Sequence, residues 1–246
     1  MNKHPLYLVC ALFAFSLLIS SCDGKGKNIR LAFISGMNPE FNYELYAPLL
    51  ESENIEWKSY TNEESQELFK PEHSNEYDVI VFYDICLDEF PEASQQDLIN
   101  VVSEGKPVFV LHDGLLTYNK WPEFAKIAGM KYFMSSQDVD GLEYGVSFYK
   151  HKQEIPITVV DKQHFITQGM DKTFVFNDEI YDRLWKSPDI HPLWTTTHPE
   201  SEKIVMYTHS YGKAKVVGIV TGHGPDIFND KNFKLAFERS ICWLVK

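Results

Sequence analysis

Short apolar runs alternate with polar, helix-compatible stretches from residue 29 onward. Residues 29–35 and 55–60 read as strands, with a helix over about 43–53 between them. Residues 78–84 are β-branched and apolar on both faces, the pattern of a strand covered on both sides inside a parallel sheet. Residues 91–104 predict a helix. Pro91 suits a first turn, Leu98, Ile99 and Val102 share an inward face, and Gly105 ends the element. A further strand follows at 107–112, with Gly114 just past its end. Strand, helix, strand, helix in this order predicts a doubly wound, mostly parallel sheet.

The second half is richer in short strands: 145–149, 157–160, 174–177, 191–195, 203–209 and 216–221. A final helix over 232–244 would turn Phe233, Ala236, Phe237, Ile241 and Leu244 to the sheet. The fold class expected is α/β, a flavodoxin-like doubly wound mostly parallel sheet with an antiparallel insertion in the second half.

The chain start changes the picture of compartment. Residues 6–19 are almost uninterruptedly apolar, too short for a comfortable membrane span and suited to a signal-peptide core. The run ends Ile19-Ser-Ser-Cys22, which resembles a bacterial lipobox. The expected organisation is therefore a lipoprotein signal over 1–21, a tether over 22–28 with lipid on Cys22, and one domain over 29–246. The alternative is an ordinary cleaved signal with Cys22 as a passenger. The membrane is expected to be met only through this anchor, at the periplasmic face or the outer membrane. A net charge of −12 without a Lys/Arg block disfavours nucleic acid as a partner. Beyond Cys10 and Cys22 only Cys86 and Cys242 remain, one possible pair and no disulfide framework, and there is no CxxC. Cys242, among apolar residues at helical spacing, reads as a buried thiol.

Open parallel sheets bind ligands at the carboxyl ends of their strands. Asp84, then His112-Asp113-Gly114, then Gly222-His223-Gly224 each end a strand. Asn177-Asp-Glu-Ile-Tyr181 sets two carboxylates beside an aromatic ring. On a loop or first helical turn Asp178 could simply cap, whereas in a site Asp178 or Glu179 would be a general base or metal ligand.

An ordered series of segments resembles the ThuA-like, trehalose-utilisation family. His112 is followed by Trp121-Pro-Glu-Phe124 and Ile127-Ala-Gly129. His164-Phe-Ile-Thr-Gln-Gly169 is similar to a His-Pro-Ile-Thr-x-Gly turn, with Phe165 in place of proline. Asp178-Glu-Ile-Tyr181 matches Asp-Glu-x-Tyr. Gly212-Lys-Ala-Lys-Val216, then Gly222-His223, resembles Gly-x-Gly-Arg-Val … Gly-His, with Ala214 and Lys215 as departures; Trp243 fits the terminal helix. The resemblance implies a fold like the class I glutamine amidotransferases, whose nucleophilic cysteine sits on a strand-to-helix elbow. Here the elbow reads Leu111-His112-Asp113-Gly114, without serine or cysteine, so amidotransferase or protease chemistry is not expected.

The family's association with sugar catabolism implies a small carbohydrate ligand. The first expectation is an enzyme acting on a sugar or 3-keto-glycoside by acid/base, metal-assisted or metal-free chemistry. Its catalytic set would be His112, Glu179 and His223, which are also the candidate ligands for a divalent metal. Asp84, Asp113, Trp121, His164, Asp178 and Tyr181 would bind substrate, and Trp194 could stack on a sugar face. The alternative is a non-catalytic sugar-binding or accessory lipoprotein. His73, His151, His191 and His198 read as solvated, and His209 has no assigned role.

Overall fold

The apolar runs of the first half become strands in parallel register. β1 (Ile29–Ile34), β2 (Ile55–Tyr60), β3 (Val79–Phe82) and β4 (Val108–Leu111) lie side by side in the order β2-β1-β3-β4. The computed structural model describes residues 28–35, 49–50, 54–85 and 90–246. The proposed signal, Cys22 and Cys86 lie outside them, as does most of the helix expected over 43–53. Every residue of β3 and β4 is buried, as their unbroken apolar sequences require. The helices of this half whose full extent lies among the described residues are α1 (Asn62–Leu68), α2 (Glu92–Ser103) and α3 (Pro122–Ala128). The strand-and-helix pattern above omits α1, yet its start carries a capping box. Thr61 Oγ1 accepts from the Glu64 amide at 3.2 Å, and Glu64 accepts from the Thr61 amide at 2.8 Å.

The second half supplies β5 (Met130–Lys131), β6 (Gln137–Val139), β7 (Leu142–Tyr144), β8 (Phe148–Val159), β9 (Thr173–Asp182), β10 (Trp185–Lys186), β11 (His191–Thr196), β12 (Ile204–Tyr211) and β13 (Ala214–Ile219). β13 joins β4 in parallel, and β12, β11, β8 and β9 extend the sheet antiparallel to nine strands. The fold is thus a flavodoxin-like mixed sheet whose antiparallel half is inserted between β4 and β13. After a short α4 (Pro225–Phe228), α5 (Lys231–Leu244) buries Phe233, Ala236, Phe237 and Ile241. Asp230 caps it by accepting from the Asn232 and Phe233 amides.

Three expectations are corrected. The strands expected at 145–149 and 157–160 are one strand, β8, with a register shift between Lys150 and Gln153. Asp178 and Glu179 sit inside β9, on neither a loop nor a helical turn. Pairing of Asn177 with Glu154 and Asp178 with Gln153 overrides the local turn preference of Asn-Asp. Cys242 is buried as expected but is disulfide-bonded, not a free thiol. Among the described residues no helix is long and apolar enough to cross a membrane.

Candidate functional site

β4 runs directly into a 3-10 turn, His112–Leu116. His112 at its apex has φ 44°, a left-handed backbone that costs a non-glycine residue about 1–2 kcal/mol. The turn is pressed onto β3: a Cβ at Gly114 would lie 2.2 Å from the Phe82 carbonyl oxygen, so only glycine fits. The elbow therefore has the strain of a nucleophile elbow, with an imidazole where the nucleophile would be.

The His112 ring is fully buried, and its Nδ1 lies 2.7 Å from the Val220 carbonyl oxygen. A carbonyl only accepts, so Nδ1 carries the proton and, in the neutral ring, Nε2 presents a lone pair. That nitrogen faces the Tyr181 hydroxyl at 3.2 Å and His223 Nδ1 at 3.4 Å. The Tyr181 ring stacks on His112 with centroids 4.6 Å apart and planes 10° from parallel. Its hydroxyl donates to Asp113 Oδ1 at 2.5 Å, a short charge-assisted bond that uses its single proton. The Nε2 lone pair is left facing Tyr181, His223 and Glu179, behind the cavity lining. Burial pushes the Tyr181 phenol well above its ordinary value, reinforced by Asp113 and Glu179.

Strand periodicity places Glu179 and Tyr181 on one face of β9. Glu179 is buried, with Oε2 2.9 Å from His223 Nδ1, 2.7 Å from His151 Nδ1 and 4.0 Å from His112 Nε2. Burial alone would raise its carboxyl; the combined pull of His223, His112 and His151 outweighs burial and holds it below its ordinary value. His223 is raised by Glu179 in return, against partial burial. The buried Asp178 carboxylate accepts from the backbone amides of Gly222 (2.5 Å) and His223 (3.1 Å), tying β9 to the turn after β13. Burial raises its carboxyl, partly offset by His112 and those two amides.

Two cavities meet here, of about 390 and 370 Å³. The first runs past Asn177, Asp178 and Pro225. The second has a polar floor of Asp113 and Tyr181 and an apolar wall of Leu116, Tyr132, Met134, Val146 and Tyr149. His151, Glu179 and His223 line both.

Of the residues singled out from sequence, His112, Asp113, Asp178, Glu179, Tyr181 and His223 come together at this edge. Asp84, Trp121 and His164 line neither cavity, and the fully buried His112 lies behind the lining, in contact with Tyr181 and His223. The Asp84 carboxylate accepts from the next amide, Ile85, at 2.7 Å. Trp121 packs among Phe90, Tyr118 and Phe124, and Trp194 is wholly buried. His164 lies against Trp243, with ring centroids 5.2 Å apart. His209, also buried, contacts the Lys126 carbonyl at 3.0 Å.

His151, read from sequence as solvated, is half exposed yet reaches Glu179. It precedes Lys152, whose φ of 55° marks the β8 irregularity. Only the pairing of β8 with β9 sets it opposite Glu179, so no local signal could have found it. The assembled groups offer a fixed base lone pair, a tyrosine–carboxylate pair and a carboxylate between two imidazoles, the components of proton transfer at carbon and oxygen.

Among solved structures, a ThuA-like protein from Parabacteroides merdae ATCC 43184 superposes with a TM-score of 0.72 at 19% identity, covering 89% of this chain and 91% of its own. A ThuA-like protein from Bacteroides uniformis ATCC 8492 gives 0.64 at 17% identity, covering 90% and 93%. A cytoplasmic protein from Salmonella typhimurium gives 0.62 at 12% identity, covering 88% and 99%. No curated protein matches the sequence. Residues 38–244 match the family described as ThuA, trehalose utilisation. The chain belongs to the ThuA family, with a role related to carbohydrate use.

Proposed function

We propose that this protein is an enzyme of carbohydrate catabolism that moves protons on a sugar bearing a keto group, such as a 3-keto-glycoside. The observation that carries the reading is the His112 ring. Its Nδ1–H is held by Val220, and its Nε2 is directed at a cluster containing Glu179, Tyr181 and His223. A C–H bond beside a carbonyl is acidic enough for such a base. His223, held by Glu179 and lining both cavities, takes the proton on its outer ring nitrogen and passes its Nδ1 proton to the buried His112 Nε2. The C–H electron pair becomes the new C=C bond and the carbonyl π pair moves onto oxygen. The enolate then either takes the proton back at carbon, or re-forms its C=O, shifts the C=C one position and breaks the bond from carbon to the glycosidic oxygen, which leaves with the proton, so no oxidant is needed. Exposed Tyr149 on the apolar wall supplies a face for the sugar ring.

The proposed setting is extracytoplasmic, on a lipid tether at Cys22; the lipobox-like end of the apolar run supports it. Fatty-acid labelling lost in Cys22→Ser would agree with it, and unlabelled wild type would remove it.

The catalytic reading is tested by turnover of 3-keto-glucosides against the parent glucosides. His112→Asn suits the test because Asn tolerates a left-handed backbone while removing the base. A loss of roughly 10²–10⁴-fold in kcat with sugar affinity retained is expected. Sugar binding without turnover in the wild type would favour the non-catalytic alternative.

A further inference from the structure

We propose that His151, Glu179 and His223 bind a divalent transition-metal ion, with the buried His112 Nε2 behind them. The inference rests on the site of the reading above and names a cofactor for it. One donor atom from each of the three residues lies within 4.8 Å of the others. Both imidazole Nδ1 atoms lie within 3 Å of Glu179 Oε2, at 2.7 and 2.9 Å.

Glu179 is only 4% exposed, yet its Oε2 accepts no hydrogen bond from the described residues. A buried carboxylate oxygen without a donor is costly, and two ring nitrogens stand beside it without hydrogen-bond geometry. What the three atoms share is a point between them. Zinc bonds of about 2.0–2.2 Å in a tetrahedral site set neighbouring ligand atoms roughly 3.3 Å apart, so each imidazole needs to move from Glu179 Oε2 by only about half an ångström.

Two imidazoles and one carboxylate suit Zn²⁺, Mn²⁺ or Fe²⁺ and are a poor set for Mg²⁺ or Ca²⁺, which take oxygen. Residues around the three hold them in place. Glu179 is fixed in β9, His151 lies opposite on β8, and the His223 amide is held by Asp178. Among the described residues these are the three that line both cavities, so a ligand position toward either side would stay open.

The test is calorimetric titration of the full, chelator-treated chain with Zn²⁺ and Mn²⁺, with Mg²⁺ as control. One equivalent of Zn²⁺ or Mn²⁺ and no Mg²⁺ uptake is expected. Loss of an outer-shell partner alone typically weakens metal binding 10–100-fold, so His151→Ala should weaken it by more than about 100-fold. His151 is half exposed, so this variant should fold, as circular dichroism would check. His164→Ala, an imidazole outside both cavities, should bind like wild type. Absence of stoichiometric uptake, or equal affinity in wild type and His151→Ala, would overturn the proposal. Keto-glycoside turnover by protein that binds no ion would remove the ion and keep the acid/base reading. Stoichiometric binding without turnover would do the reverse.

Discussion

The Asp178 carboxylate receives the His223 amide at 3.1 Å and so fastens the turn after β13 to β9, 45 residues away in sequence. The same carboxylate takes the Gly222 amide. Removing it leaves two amides without acceptors in a buried setting. Asp178→Ala should cost about 2–4 kcal/mol of stability, read from denaturant midpoints, and should displace His223. Stability equal to wild type would mean that the turn holds itself.

Gly114 tests the elbow. An added Cβ meets the Phe82 backbone, which cannot swing aside as a flexible side chain would. Gly114→Ala should lose about 3 kcal/mol, seen as a drop in Tm. An unchanged Tm would show that the elbow can lift off β3.

Tyr181→Phe separates the hydroxyl from the ring. The stacking on His112 survives, while Asp113 loses its donor. Stability should fall by only about 1 kcal/mol, because Asp113 can turn to water. Turnover should fall on the order of 100-fold if the tyrosine–carboxylate pair orients the base. An unaltered kcat would assign Tyr181 to packing alone.

Away from the site, Asp161 gives a pH signature. His191 Nε2 at 2.9 Å and the Gln163 and His164 amides hold its carboxyl below the ordinary 3.8. A depressed carboxylate stabilises the fold above its unfolded value and loses that contribution as pH falls through the folded one. Solvent screening keeps the effect under about 1 kcal/mol. Asp161→Asn should therefore be slightly less stable than wild type at neutral pH, with the difference closing below about pH 4. A difference that persists in acid would point to lost packing instead.

Much of the fold and part of the site were written in local pattern. The buried strands β3 and β4 and helix α2 ended before Gly105 follow from periodicity and breakers, because burial on both faces and helix stops act within a few residues. Polar residues at the ends of β4 and β13 were legible for the same reason, since a parallel sheet directs its strand ends to one edge. Three things needed tertiary contacts. Asp178 and Glu179 became strand because β8 pairs with them, against the turn preference of Asn-Asp. His151 entered the site because the same pairing sets it opposite Glu179. Trp121 and His164 left it because aromatic neighbours elsewhere hold them. Strand register and cross-strand neighbours depend on residues tens of positions apart, and no local spacing encodes them.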